Sequence, residues 1–140
     1  MLHAKDLMIG DWVKFPGGAI DKIVDLPFIE GKGLCASFAA SATLFPFPIS
    51  KIEPIPITPE ILKKNGFIEN RGITSWKFET KQEDLIDIYG VDDYHLSINI
   101  EDTHGPGKGY RYLLYNLVIR YVHELQHALR LCGIEKEIEL

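Results

Sequence analysis

The chain is 140 residues long, with 46% apolar and 25% charged residues and a net charge of −5 at pH 7. That length holds one domain or two small subdomains, and the apolar fraction excludes a disordered chain. Acidic residues outnumber basic ones, most clearly after residue 54, which excludes the basic face that non-specific nucleic-acid binding requires.

Lys5, Asp6, Asp11 and Lys14 interrupt any N-terminal apolar run, so no signal peptide is read. No stretch of about 18 uncharged apolar residues exists to span a membrane. Without a secretion signal, the two cysteines, Cys35 and Cys132, read as buried thiols rather than a disulfide framework. The expectation is a cytoplasmic protein.

Residues 1–54 read as short strands separated by glycine turns. Asp11–Phe15 is the first, Pro16-Gly17-Gly18 the turn after it, and Ala19–Leu26 the second. Glu30–Gly33 turns the chain into Leu34–Ala39. Phe45–Pro48 is extended because each residue before a proline is pushed out of the helical region, and Ile49–Ile52 closes the set. Four or five short strands in about fifty residues predict a small SH3-like barrel, opened by Gly10-Asp11-Trp12-Val13. Trp12, Phe15, Phe45 and Phe47 either form its core or line an aromatic recognition groove.

Glu53–Ile57 (EPIPI) is a stiff connector whose prolines pre-set an extended backbone. It leads to a short helix, Pro59–Lys64, with Thr58 as N-cap, Pro59 at the first helical position, Glu60 in the first turn and Asn65-Gly66 as a left-handed stop. In Ile73–Glu79, Trp76 and Phe78 alternate with polar residues, which predicts a strand. Leu85–Tyr89, Tyr94–Ile100 and Tyr110–Tyr115 continue an antiparallel meander, with a turn at Gly90–Asp93 and a loop at His104–Gly109. Leu117–Ile134 has helical periodicity and closes the chain as an amphipathic helix. The expected class is α+β: a β-rich part over 1–54, then short helix, meander and C-terminal helix over 55–140.

That last helix contains His123-Glu124-Leu125-Gln126-His127, an HExxH pattern. Two imidazoles four residues apart on a helix can share one zinc ion, and the glutamate between them can act as general base on the bound water. Chance produces the pattern in about one chain in a hundred of this composition. Helical phase places Val118, Tyr121, Val122, Leu125, Leu129 and Cys132 on one stripe and both histidines on the far side, beside Arg120 and Arg130. The extended zincin motif with a third histidine is absent. Glu135 lies beyond Gly133, and His95, His104 or Asp102 would serve only if the meander folded over the histidine face. The glycines of His104–Gly109 lack the spacing and the strand-to-helix setting of a phosphate cradle.

Two stretches, Ile52–Phe67 and Tyr121–Gly133 (YVHELQHALRLCG), resemble a group of small uncharacterised proteins of gut-bacterial genomes, prophages and mobile elements. These share an EPIPLT-type connector and a YVHxLQ helix, and the similarity covers roughly the C-terminal 90 residues. The group often has Asn at the position of His127. The resemblance therefore implies that His123, Leu125 and Gln126 serve a shared structural purpose and that the HExxH is accidental.

The sequence thus supports a non-catalytic interaction or regulatory module acting on another protein, with no cofactor and no membrane. One alternative is a zinc-dependent hydrolase with His123 and His127 as ligands and Glu124 as base. The other is a peptide- or ligand-binding barrel.

Overall fold

The computed structural model describes residues 6–39, 46–70, 75–80, 85–90, 93–102 and 109–140, with backbone alone for 100–102, 109 and 110. The fold is α+β, with antiparallel sheets and two α-helices. It divides into two units, Met1–Pro56 with Tyr121–His123, and Ile57–Arg120 with Glu124–Leu140. The sequence places the break two residues earlier.

The first unit holds two three-stranded sheets. In one, β1 (Trp12–Lys14) lies between β2 (Ile20–Lys22) and β6 (Glu53–Pro54). In the other, β4 (Gly33–Ala36) lies between β3 (Phe28–Ile29) and β5 (Phe47–Pro48). A single bridge between Asp25 and Ser37 links them. The expected SH3-like barrel is not closed among the described residues. Two expectations fail for local reasons. Ile49–Lys51 is a 3-10 turn, not a strand, with the Ile52 N–H donating back to the Ile49 carbonyl. The connector is not a free spacer either, because Glu53 and Pro54 pair with Lys14 and Val13. The core gathers Leu7, Val13, Phe15, Ile23, Ala36 and Ile52, with Phe38 and Phe47 packed against it.

The second unit is built on a five-stranded sheet in the order β11-β10-β9-β8-β7. Its strands are β7 (Ile68–Asn70), β8 (Ser75–Glu79), β9 (Leu85–Tyr89), β10 (Tyr94–Asp102) and β11 (Gly109–Ile119). One face is apolar because period-2 alternation brings Trp76, Ile86, Ile88, Leu96, Ile98 and Ile119 to the same side, all buried. The predicted loop from His104 lies outside the described residues up to Gly109, as does the turn at 91–92. Helix α1 (Pro59–Lys64) has its predicted bounds. The Thr58 hydroxyl accepts from the Ile61 N–H, and Gly66 at φ 84° ends the helix. The Gly66 and Phe67 N–H groups donate back to the Lys63 and Leu62 carbonyls, a Schellman closure.

Helix α2 (Val122–Leu131) begins five residues later than its periodicity predicts. Leu117, Val118 and Ile119 instead pair with Leu96, His95 and Tyr94 of β10. An apolar run of this kind satisfies either period, and the neighbouring strand decides. The other end comes three residues before the predicted Ile134: Gly133 at φ 72° and Ile134 donate to the Arg130 and Leu129 carbonyls, the same closure as in α1.

The chain beyond α2 is held by two side-chain amides. Gln126 donates to the Lys136 carbonyl (3.0 Å) and accepts from the Ile138 N–H (2.7 Å). Asn65 donates to the Glu139 carbonyl and accepts from the Glu139 N–H, both at 2.8 Å. Each amide presents one donor and one acceptor, as a neighbouring strand would. Ile134 and Ile138 are buried as a result.

Candidate functional site: the open edge of the five-stranded sheet

The HExxH residues adopt a geometry that helical phase did not anticipate. His123 is only 4% exposed, so the expectation that it faces solvent is wrong. The buried positions of α2 are Val122, His123, Leu125, Gln126, Ala128 and Leu129, more than a single stripe, because this helix is covered over much of its circumference. The His123 ring stacks on Tyr121, with centroids 5.9 Å apart and planes within 6°. His127 is partly buried. The Glu124 carboxylate accepts from the Arg120 N–H at 3.0 Å, so it satisfies a donor at the helix start, much as in a capping box. Among the described residues, no group of three His, Cys, Asp or Glu side chains is arranged to hold a metal. His104 and the side chain of Asp102 lie outside them.

The other candidates resolve into packing. Phe15 is core, in contact with Phe38 (4.6 Å) and Phe47 (5.9 Å), so it lines no recognition groove. Phe45 is outside the described residues, and Trp12 carries the Lys22 ammonium over its ring at 5.2 Å. Both cysteines are free thiols; Cys35 is buried, and burial raises the partly exposed Cys132 thiol above its ordinary range. A groove of about 470 Å³ is lined by Phe78, Ile134 and Lys136 among others. The chain's own groups engage it: the Lys136 ammonium sits 3.9 Å above the Phe78 ring, and Arg130 pairs with Glu137. Burial lowers the Lys136 amine below its ordinary range.

What remains is strand β11. It is an edge strand of eleven residues. Of twelve large apolar side chains exposed among the described residues, five fall between Tyr112 and Val118: Tyr112 (56%), Leu113, Tyr115 (68%), Leu117 (41%) and Val118 (43%). They occupy both faces of the sheet. Leu117 lies opposite the buried Leu96, while Val118 lies opposite His95 on the other face. Tyr112 and Tyr115 meet edge to face at 4.9 Å. Gly109–Ile119 contains no lysine, proline or acidic residue, three of the usual guards of an open edge; a fourth, the β-bulge, is present at two places. Among the described residues every other edge strand is short: β2 has three residues including Asp21 and Lys22, β3 two, β5 and β6 two each with a proline, and β7 three including Glu69.

The edge is also held in a defined shape. β11 carries two extra residues relative to β10, since Leu117 is opposite Leu96, Leu114 opposite Ile98 and Tyr112 opposite Asn99. At the irregularity between Leu114 and Leu117, Asn116 adopts φ 55°, the one left-handed non-glycine among the described residues. Its N–H donates to the Ser97 hydroxyl (3.1 Å). Its side-chain oxygen accepts from the Tyr89 hydroxyl (2.8 Å) and from His95 Nδ1 (2.9 Å). Three polar contacts to β9 and β10 thus offset the unfavourable backbone conformation. At the strand's end, Arg120 Nε donates to Asp93 at 2.8 Å; this hydrogen bond, and then the guanidinium charge, hold the Asp93 carboxyl below its ordinary value.

The sequence missed this site because it assigned Leu117 onward to the helix and ended the strand at Tyr115. The available signal was the unbroken run Tyr110–Ile119, free of lysine and proline. Among the described residues no helix is long and apolar enough to cross a membrane. The chain matches no family model, no curated protein and no solved structure.

Proposed function

We propose that the protein is a non-catalytic interaction module whose binding element is the β11 edge. The supporting observation is the concentration of exposed apolar side chains on both faces of a long edge strand that carries no lysine, proline or acidic residue. Tyr112, Leu113, Tyr115, Leu117 and Val118 together expose on the order of 500 Å² of side-chain surface, divided between the two faces. A ligand lying on one face would leave the other wet. A strand added to the edge flanks the side chains of both faces and pairs the outward backbone groups, which is recognition by β-augmentation. The bond network of Asn116 keeps that edge in one conformation before the partner arrives.

This reading requires that the exposed side chains contribute nothing to the fold itself. Denaturant unfolding of Tyr115→Lys/Leu117→Lys, at a dilution where the midpoint no longer depends on concentration, checks it. The expected stability lies within about 0.5 kcal/mol of the parent chain. A loss of about 2 kcal/mol or more would make these side chains part of the core and remove the observation on which the reading rests.

A further inference from the structure

Asn65 both clamps the tail and precedes a glycine. Asn70, Asn99 and Asn116 precede arginine, isoleucine and leucine; Asn65 alone among the asparagines precedes glycine. An Asn-Gly pair is chemically labile, because the glycine nitrogen has no neighbouring side chain to keep it from the amide carbon. The nitrogen attacks Asn65 Cγ and a C–N bond forms. The Cγ–Nδ2 bond breaks, and ammonia leaves with the proton from the glycine nitrogen. Water then opens the succinimide ring, at Cγ to give aspartate or at the main-chain carbonyl to give isoaspartate. Water is the one co-reactant.

The fold opposes each part of this reaction. Asn65 is 8% exposed. Its Nδ2 donates to the Ile61 and Glu139 carbonyls, both at 2.8 Å, and its Oδ1 accepts from the Glu139 N–H, so the side chain is fixed at both ends. At ψ 12° the Gly66 nitrogen is turned toward the backbone nitrogen of Asn65 and away from Cγ. The Gly66 N–H is itself engaged by the Lys63 carbonyl at 3.1 Å. Two of the three side-chain bonds are made with Glu139, so most of this restraint comes from the tail. Without the tail, α1 is a helix of six residues, too short to hold its last turn by itself, and Asn65 and Gly66 become free to rotate.

We propose that Asn65 is a deamidation site gated by the tail: it reacts when the segment around Ile138 and Glu139 is released, and its product hinders the segment's return. An aspartate at this position has no donor for the Ile61 and Glu139 carbonyls and sets a carboxylate oxygen against both. An isoaspartate adds a carbon to the main chain at the cap of α1. Either product removes the Asn65 clamp and leaves the tail to Gln126. A brief opening of the tail is thereby converted into a lasting one. The site is independent of the β11 edge and of any partner bound there.

Mass spectrometry of the full chain, kept in mildly alkaline buffer, follows the amide-to-acid conversion at Asn65. The folded parent chain is expected to convert at least about a hundredfold more slowly than the same chain unfolded in urea. Ile138→Ala, which loosens the tail, should speed conversion in the folded state by at least about tenfold. Urea below the unfolding transition separates local from global opening. Release of the tail alone exposes little surface, so the parent rate should hardly change there. In the converted protein the Ile138 and Glu139 amides should exchange faster, while those of β9 and β10 keep their protection. Conversion as fast in the folded chain as in the unfolded one would overturn the proposal. So would a parent rate that climbs with urea in step with the unfolded population, because unfolding of the whole chain would then be the gate. An unchanged rate in Ile138→Ala, or unchanged tail exchange after conversion, would overturn it as well.

Discussion

The tail after α2 and strand β11 pose the same problem to the fold and receive opposite solutions. Both are extended segments with apolar side chains and backbone groups to satisfy. In the tail, Gln126 and Asn65 act as substitutes for a neighbouring strand, and Ile134 and Ile138 are buried. In β11 one row of backbone groups pairs with β10, no second strand adjoins it among the described residues, and five large apolar side chains are exposed. Among the described residues two buried amides close one extended segment and every other edge is short or interrupted by proline or charge, which leaves β11 open as a distinct feature. The difference separates what the fold completes internally from what it offers to another molecule.

The largest effect expected from breaking this contrast is in the tail. Ile138→Ala should cost about 3 kcal/mol in denaturant unfolding, since the side chain is fully buried and its removal leaves a cavity. A cost under about 1 kcal/mol would mean that the tail detaches readily and is not part of the core. Gln126→Leu keeps the volume but strands the Ile138 N–H and the Lys136 carbonyl. About 2 kcal/mol should be lost, with faster exchange of the Ile138 amide. An unchanged exchange rate there would show that another group holds the tail.

On the β11 side, Asn116→Ala removes the acceptor shared by Tyr89 and His95 and places a residue poorly suited to positive φ at the bulge. Stability should fall by about 1 kcal/mol, with line broadening or exchange changes confined to β11 and the facing part of β10. A uniform change over the whole second unit would argue against a local pinning role.

The smallest effect concerns the end of the strand. The folded-state pKa of Asp93 is depressed by Arg120, so its stabilising contribution is complete above the ordinary value of 3.8 and disappears as pH falls through the lower folded-state value. The difference in unfolding midpoint between the parent chain and Asp93→Asn should therefore be constant near neutrality and close only in that acid window. A difference that persists unchanged at the acid end would assign it to something other than this ion pair.

Much of this architecture is written locally. Thr58, Pro59 and Gly66 specify α1 to the residue, because a cap is chemistry between a side chain and backbone groups within one turn. Gly133 ends α2 for the same reason, and the bounds of β9 at Leu85 and Tyr89 follow from alternation between turns. Local chemistry does not reach further. Leu117–Ile119 carries a pattern that suits helix or strand, and pairing with β10 selects the strand. His123 sits on the polar side of a helical wheel, yet it is buried, because a wheel knows one helix and not how much of it the rest of the molecule covers. Nothing local to Gln126 names its partners, which the tail brings back to it from ten residues away.

The open edge itself belongs to this second class. The sequence determined a strand over Tyr110–Tyr115; that it runs on to Ile119, and that the order β11-β10-β9-β8-β7 gives it one neighbour instead of two, only the tertiary structure decided. Periodicity encodes which way a side chain points along its own element. Whether anything stands there to meet it depends on contacts between residues far apart in the chain, and those exist only once the tertiary structure has formed.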